Sequence, residues 1–491
     1  MRSNKMAASW LFPVSVALLL GPVLVSPLPL SGQSKGNNAV YTGSGTTATV
    51  SWSGAYIDAS AFASTSVDIC ATLYSIMSAT GYSSGVGSFI DARGLNSTNS
   101  NLSCAAGTSP WYNGTTGYIN KPGRILLPAG KIVIAYPWVI PDYTKIVGVG
   151  SGSSGAAGVT TIQAGNGTGG QATFSGSAMI QMGGVVVFNS MNFGCPVCFE
   201  VSVSDLTLDG QGQTMDGIDN SNAEELSYVE HVAILNVEGN GLLLSTNSTS
   251  AQDGTSSHSG PYLDLLVAAG SKASASTSCV KIFDAQPRGI HGLTCSASGS
   301  TVPKAAIYLD GGNVSIENVT ISGFNDGVLV GSETPFNTTG LEDIYANVLS
   351  NITGSSTGGT MANLVHICNT ASVKGNCSST GFSAEDVTLA GLTSSSSGIN
   401  TIEDDLTTTT VTDANVALYV LGEPVQGNAT NIGYSRFSTS PSFPTWLVGT
   451  AVSPTGAACS ADGSLYSRGN FGTAGSSTLW GCVSSKWALI K

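Results

Sequence analysis

The sequence predicts an all-β solenoid, a parallel β-helix of stacked coils, on three observations: a short apolar pattern that recurs along the middle of the chain, a column of bend-tolerant residues within that pattern, and a surface built from Ser, Thr, Gly and Asn. Only 10% of the 491 residues are charged, against about 25% in an average soluble domain, and 62 are Gly. Helical surfaces are usually covered by Glu, Lys, Arg and Ala, so this composition favours strands and turns. With 41% hydrophobic residues the chain can bury a large core. The formal net charge of -13, with 17 Lys and Arg against 30 Asp and Glu, excludes a nucleic-acid partner, because phosphate binding needs a basic patch.

Residues 1–32 read as a secretory signal peptide. Arg2 and Lys5 precede an apolar run from Met6 to Val25. Pro13, Gly21 and Pro22 interrupt the run, which argues against a transmembrane anchor, and no integral membrane span is expected once it is removed. A secreted, extracellular or cell-surface protein follows. Its ten cysteines are then expected to pair, and in sequence they form close couples: Cys70 with Cys104, Cys195 with Cys198, Cys279 with Cys295, Cys368 with Cys377, and Cys459 with Cys482. A strand pattern follows Cys198, so Cys195-Pro-Val-Cys198 is read as a structural disulfide rather than a redox centre.

Residues 33–165 form a cap region. The stretch from Ser66 to Met77 has the period of an amphipathic helix, and strands are expected at 87–94, 123–131 and 145–150. A cap is physically required, since the first coil would otherwise expose unpaired backbone and an apolar cross-section.

Residues 166–406 carry the repeat. The pattern apolar, any, bend, apolar, any, apolar occurs at 203–208, 229–234, 262–267, 290–295, 316–321, 341–346 and 384–389. Its third position holds Asp205, His231, Asp264, Gly292, Asn318, Asp343 and Asp386, residue types that best tolerate a left-handed backbone. A tight bend explains all seven, so it is preferred to a catalytic role for His231 within an Asp-His-Asp ladder. Short strands follow each variable loop at 217–219, 241–244, 279–282, 306–309, 327–330 and 364–367.

This order of strand, loop, strand, strand and bend resembles the right-handed parallel β-helix of the pectate-lyase-like superfamily, which includes polysaccharide lyases, polygalacturonase-type hydrolases and phage tailspike depolymerases. The order of helix and strands in the cap region is similar as well. The resemblance implies a polysaccharide partner lying in a groove along one outward face of the coils. Residues 407–455 then form an extension, and 456–491 a small β-hairpin module stapled by Cys459 and Cys482, which looks like terminal modules of bacterial and phage fibre proteins. The chain is expected as a monomer or a trimer.

Alternation places Ile218, Val280, Ile307 and Val328 inward, so Asp219, Lys281, Tyr308 and Leu329 line the outward face with Leu243. Five residues are catalytic candidates: Asp216, Asp219, Lys281, Tyr308 and Asp310. Asp216 with Asp219 supplies acid and base for hydrolysis, and Lys281 with Tyr308 supplies base and acid for uronate elimination. Asp284, Arg288 and Asp326 are candidate substrate-binding residues. Asp216, Asp310 and Asp326 each precede Gly, and such dipeptides are also ordinary turns. No cofactor is required, and clustered Asp leaves calcium open, although no loop matches a defined calcium motif.

Three classes of function therefore stand. The first is a polysaccharide lyase or glycoside hydrolase. The second is a non-catalytic glycan-binding or adhesive protein, favoured by the absence of polygalacturonase-like Asn-Thr-Asp, Gly-His-Gly and Arg-Ile-Lys signatures. The third is a structural solenoid. Trp111, Tyr112, Tyr136 and Trp138 serve either sugar stacking or core packing.

Overall fold

Two long parallel sheets dominate the computed structural model, and the coil that links them repeats along the chain. The structure describes residues 56–404 apart from several loop segments, together with the strands at 40–42, 49–51, 416–421, 446–449 and 465–468, Cys459 and most of 479–490. The predicted signal segment lies outside the described residues. No helix among the described residues is long and apolar enough to cross a membrane.

Nine strands stack in the first sheet, in the order Trp138–Ile140, Ala178–Met182, Asp216–Asn220, Asn240–Ser245, Ser278–Ala285, Ala305–Gly311, Asp326–Ser332, Asn363–Thr370 and Asn400–Asp404. Every pairing between these neighbours is parallel. The second sheet holds sixteen strands and runs from Tyr56–Asp58 through Ser202–Gln213, Tyr228–Val237, Tyr262–Ala269, Ile290–Ala297 and Ser315–Ser322 to Val348–Ser355 and beyond. Between the sheets lies one continuous apolar core, to which each coil adds a layer such as Ile218 with Ile234, Leu242 with Val267, and Val280 with Cys295. The fold is an all-β parallel β-helix.

At one end of the core sits the helix Ile69–Ser78. Asp68 caps it by accepting a hydrogen bond from the Ala71 N–H, which satisfies one of the donors orphaned at a helix start. Its other carboxylate oxygen accepts from the Ala105 N–H at 2.9 Å, and the Cys70–Cys104 disulfide adds a covalent tie to the same segment. The helix buries Ile69, Leu73, Ile76 and Met77 in the same core as Ile57 and Ile90 of the first coils. Between its ends a helix makes its backbone bonds internally, so it can cover an apolar cross-section without offering a new sheet edge.

The strands of the second sheet bend at a column of left-handed residues. Asp205, His231, Asp264, Gly292 and Asn318 all have φ between 49° and 76°, as the repeat predicts. The last two bends differ from the sequence reading. Val348–Ser355 pairs with Ser315–Ser322 so that Leu349 meets Ile316 and Ile352 meets Val319, which aligns Asn351 (φ 52°), not Asp343, with Asn318. In the next coil Ser350 meets Ala390 and Thr353 meets Thr393, which puts Gly391 (φ 62°), not Asp386, in the column. The Asp343 hexapeptide instead contributes Glu342–Tyr345, paired in parallel with the start of Phe382–Ala390.

Disulfides join Cys279 to Cys295 and Cys459 to Cys482 as the spacing suggests. The Cys195 with Cys198 and Cys368 with Cys377 couples involve side chains outside those described. Near the C-terminus a four-stranded sheet runs Trp446–Gly449, Leu465–Arg468, Leu479–Val483 and Lys486–Leu489, with Trp480, Cys482 and Trp487 as its own small core.

Candidate active site

Each strand of the nine-stranded sheet offers one outward position in strict register. Val139, Gln181, Asp219, Leu243, Lys281, Tyr308, Leu329, His366 and Glu403 form a single column, because each pairs directly with its neighbour. The inward positions one residue earlier, Ile218, Leu242, Val280, Ile307 and Val328, are fully buried. A second column stands at the strand starts, where Asp216 neighbours Asn240 and Asn240 pairs with Ser278, while Asp326 pairs with Asn363 and Asn363 with Asn400.

Asp216 is placed by a close approach of backbone to core. A Cβ on the following Gly217 would lie 2.4 Å from Ile234 Cγ2 and 2.6 Å from the Gly241 carbonyl oxygen. Only glycine lets the strand enter the coil there. At the other end of the strand the buried Asn220 closes the turn, its Oδ1 accepting from the Ala223 N–H at 2.7 Å and its Nδ2 donating to the Tyr262 hydroxyl at 2.7 Å. Asp219 and Ser221 are thereby held on the outward face, with the Ser221 hydroxyl donating to Asp219 Oδ1 at 2.6 Å.

Asp216 Oδ1 accepts from the backbone N–H of Asn240 at 2.6 Å and from its side-chain amide at 3.0 Å. Burial is the main force on its carboxyl and pushes the pKa up to about 6, helped by repulsion from Asp219 and opposed by the Asn240 donors and Lys281. Burial also raises Asp219, against the stabilising Ser221 hydroxyl. Two half-buried carboxyls on one strand therefore share a site, and the charge of Asp219 disfavours ionisation of Asp216. Lys281 lies over the Tyr308 ring, with Nζ 5.6 Å from the centroid, a cation–π contact worth about 1 kcal/mol.

Beyond Lys281 the same column is covered. Tyr308 and Leu329 pack with Ala305 into a separate apolar cluster, and the Tyr308 hydroxyl is buried. Asp326 Oδ2 lies 3.0 Å from His366 Nδ1, Asp326 Oδ1 accepts from Asn363 at 2.8 Å, and Asn400 donates to both Asn363 and Glu403. Asp310 is likewise buried, in register with Phe283.

The structure thus brings Asp216, Asp219 and Lys281 together on an accessible face, with Tyr308 beneath Lys281, and places Asp310 and Asp326 out of solvent. Asp284 falls at the irregularity between Phe283 and Ala285, and its side chain lies outside the described residues. Arg288 is exposed on the turn before Ile290, off both columns, with its N–H donating to the Ser259 carbonyl. Trp111, Tyr112, Tyr136 and Trp138 are buried, the two tryptophans edge to face at 6.4 Å, so packing is their role. Sequence reading missed Gln181, Asn240, His366 and Glu403. His366 was findable, since it occupies the outward slot of Leu364-Val-His-Ile367 that Tyr308 occupies in Ala306-Ile-Tyr-Leu309. The Asp205, His231 and Asp264 ladder belongs to the other sheet, with His231 3.3 Å from Asp205 and 3.4 Å from Asp264, all exposed. No cluster of three or more His, Cys, Asp or Glu among the described residues is arranged to hold a metal ion.

No protein-family model and no curated protein matches this chain. Among solved structures, ORF18 of Geobacillus virus E2 is similar at 11% identity and a TM-score of 0.32, covering 80% of this chain and 70% of that one. The A-modules of two Azotobacter vinelandii mannuronan C-5 epimerases are also similar. AlgE4 is 14% identical with a TM-score of 0.23, and AlgE6 is 10% identical with a TM-score of 0.22; each match covers 62% of this chain and 91% of the module.

Proposed function

We propose that this chain is a secreted carbohydrate-active protein of the pectate-lyase-like superfamily that binds a glycan over the outward face of the nine-stranded sheet and hydrolyses a glycosidic bond there. The observation that carries this reading is the pair of half-buried carboxyls on one strand, Asp216 with a pKa raised to about 6 and Asp219 beside it. Such a pair divides into an acid and a base. Protonated Asp216 gives its proton to the glycosidic oxygen as the bond to the anomeric carbon breaks. Asp219 takes a proton from the water whose oxygen bonds to that carbon. The separation of the two carboxyl groups decides between inversion and retention. The disulfides are compatible with an extracellular setting.

Uronate elimination by Lys281 and Tyr308 gains less support, because the Tyr308 hydroxyl is buried beneath the cation. The test is to incubate the protein with neutral glycans and polyuronates while following reducing ends and the ultraviolet absorbance of unsaturated products. Reducing ends without unsaturated products are expected, and Asp216→Asn and Asp219→Asn should each lower the rate by about 100-fold or more. Unsaturated products would replace hydrolysis by elimination. Binding without either product would leave a glycan-binding protein.

A further inference from the structure

The outward column is accessible over only three coils. Asp219, Leu243 and Lys281 are half-exposed, whereas Gln181 on one side is 8% exposed and Tyr308, Leu329 and His366 on the other are 1%, 0% and 3%. Inward burial does not explain this, since Tyr308 and Leu329 form a cluster apart from the main core. Described backbone stands at both ends. The strand Met191–Cys195 of a two-stranded antiparallel hairpin lies against Trp138–Ile140. The strand Glu342–Tyr345 lies against Ala305–Gly311, although in sequence it follows the next strand of that sheet, Asp326–Ser332.

We propose that the open face is a recess closed at both ends, built for a short oligosaccharide or the end of a glycan chain rather than the interior of a long polymer. The proposal rests on the glycan reading above and adds the substrate class. From Gln181 to Tyr308 there are four coil steps, about 19 Å in all, which holds about three to four pyranose units if each spans about one step. A polymer lying along the column would have to leave through Gln181 or through Tyr308 and Leu329, and both exits are filled. Leu243 supplies an apolar floor between the Asp219 and Lys281 flanks, suited to the face of a sugar ring.

The full chain should be titrated with linear neutral and uronate oligosaccharides of two to eight units and with the parent polymers, with product profiles and polymer viscosity followed in parallel. Affinity should rise to about four units and then stay within twofold, and any cleavage should release short products while viscosity barely falls. Affinity that climbs tenfold or more beyond six units, or a viscosity collapse early in cleavage, would overturn the closed recess and leave the hydrolytic reading standing. A length plateau without cleavage would support the recess and overturn the hydrolytic reading. No binding to any glycan would overturn both. Leu243→Trp should weaken the best oligosaccharide more than tenfold, while the control Leu266→Trp, on the exposed face of the second sheet, leaves it unchanged. Matching circular dichroism would show both variants folded, and unchanged binding by folded Leu243→Trp would place the ligand elsewhere.

Discussion

Asp326 and His366 face one another at 3.0 Å from neighbouring strands, with 6% and 4% of their side chains exposed. The register explains the meeting: Asp326 starts its strand opposite Asn363, and His366 is the next outward residue of that partner strand. The acid also accepts from Asn363 and Asn325, so three groups depend on one carboxylate. Asp326→Ala should destabilise the fold by about 3 kcal/mol, because it leaves buried donors unpaired. Asp326→Asn, which keeps an acceptor, should cost less. Denaturant titration of the three proteins checks the order.

On the proposed hydrolytic reading, the raised pKa of Asp216 should make activity fall as pH rises, and its contribution to stability should fall with it. Its folded value of about 6 exceeds the ordinary 3.8, so its favourable contribution is fully present below about 3.8 and is lost as pH climbs through about 6. Catalysis that needs the protonated acid should decline over the same upper limb. Asp216→Asn should lower the rate by about 100-fold or more and flatten the stability profile between pH 4 and pH 7 by up to about 2 kcal/mol, allowing for partial exposure. Stability profiles that run parallel in both proteins, or a wild-type rate that does not fall as pH rises through about 6, would contradict this.

Asn318 holds φ 58° at a bend where a β-branched side chain is strained. Asn318→Val should lose about 1 to 2 kcal/mol and Asn318→Gly should stay near wild type. Equal loss in both variants would mean that the amide, which accepts from Asn351 at 3.4 Å, matters more than the backbone.

Gly217→Ala tests the link between core and site. The added methyl meets Ile234 and the Gly241 carbonyl, so the strand must shift outward and carry Asp216 with it. Lower stability by about 1 to 3 kcal/mol is expected, together with a fall in catalytic rate larger than the fall in binding. A variant with full activity would detach the glycine from the placement of the acid.

Much of this arrangement was legible in the residues. Period-2 alternation put Asp219, Leu243, Lys281, Tyr308 and Leu329 on one face, and pairing places them in one column. The bends through Asn318 followed from residue type. Asn351 and Gly391 did not, because Leu341–Ala346 and Ala384–Leu389 carry the same hexapeptide pattern, and only strand pairing tells which copy lies in the column.

By itself the sequence determined the solenoid, its first five bends and the outward register, since these depend on local sterics and on apolar spacing that neighbouring coils share. Which outward residues meet solvent was decided by tertiary structure alone. Tyr308 and Lys281 are equivalent by alternation, yet one is sealed and the other half-exposed. Segments distant in sequence, Met191–Cys195 and Glu342–Tyr345, lie against the sheet on either side of the three accessible coils.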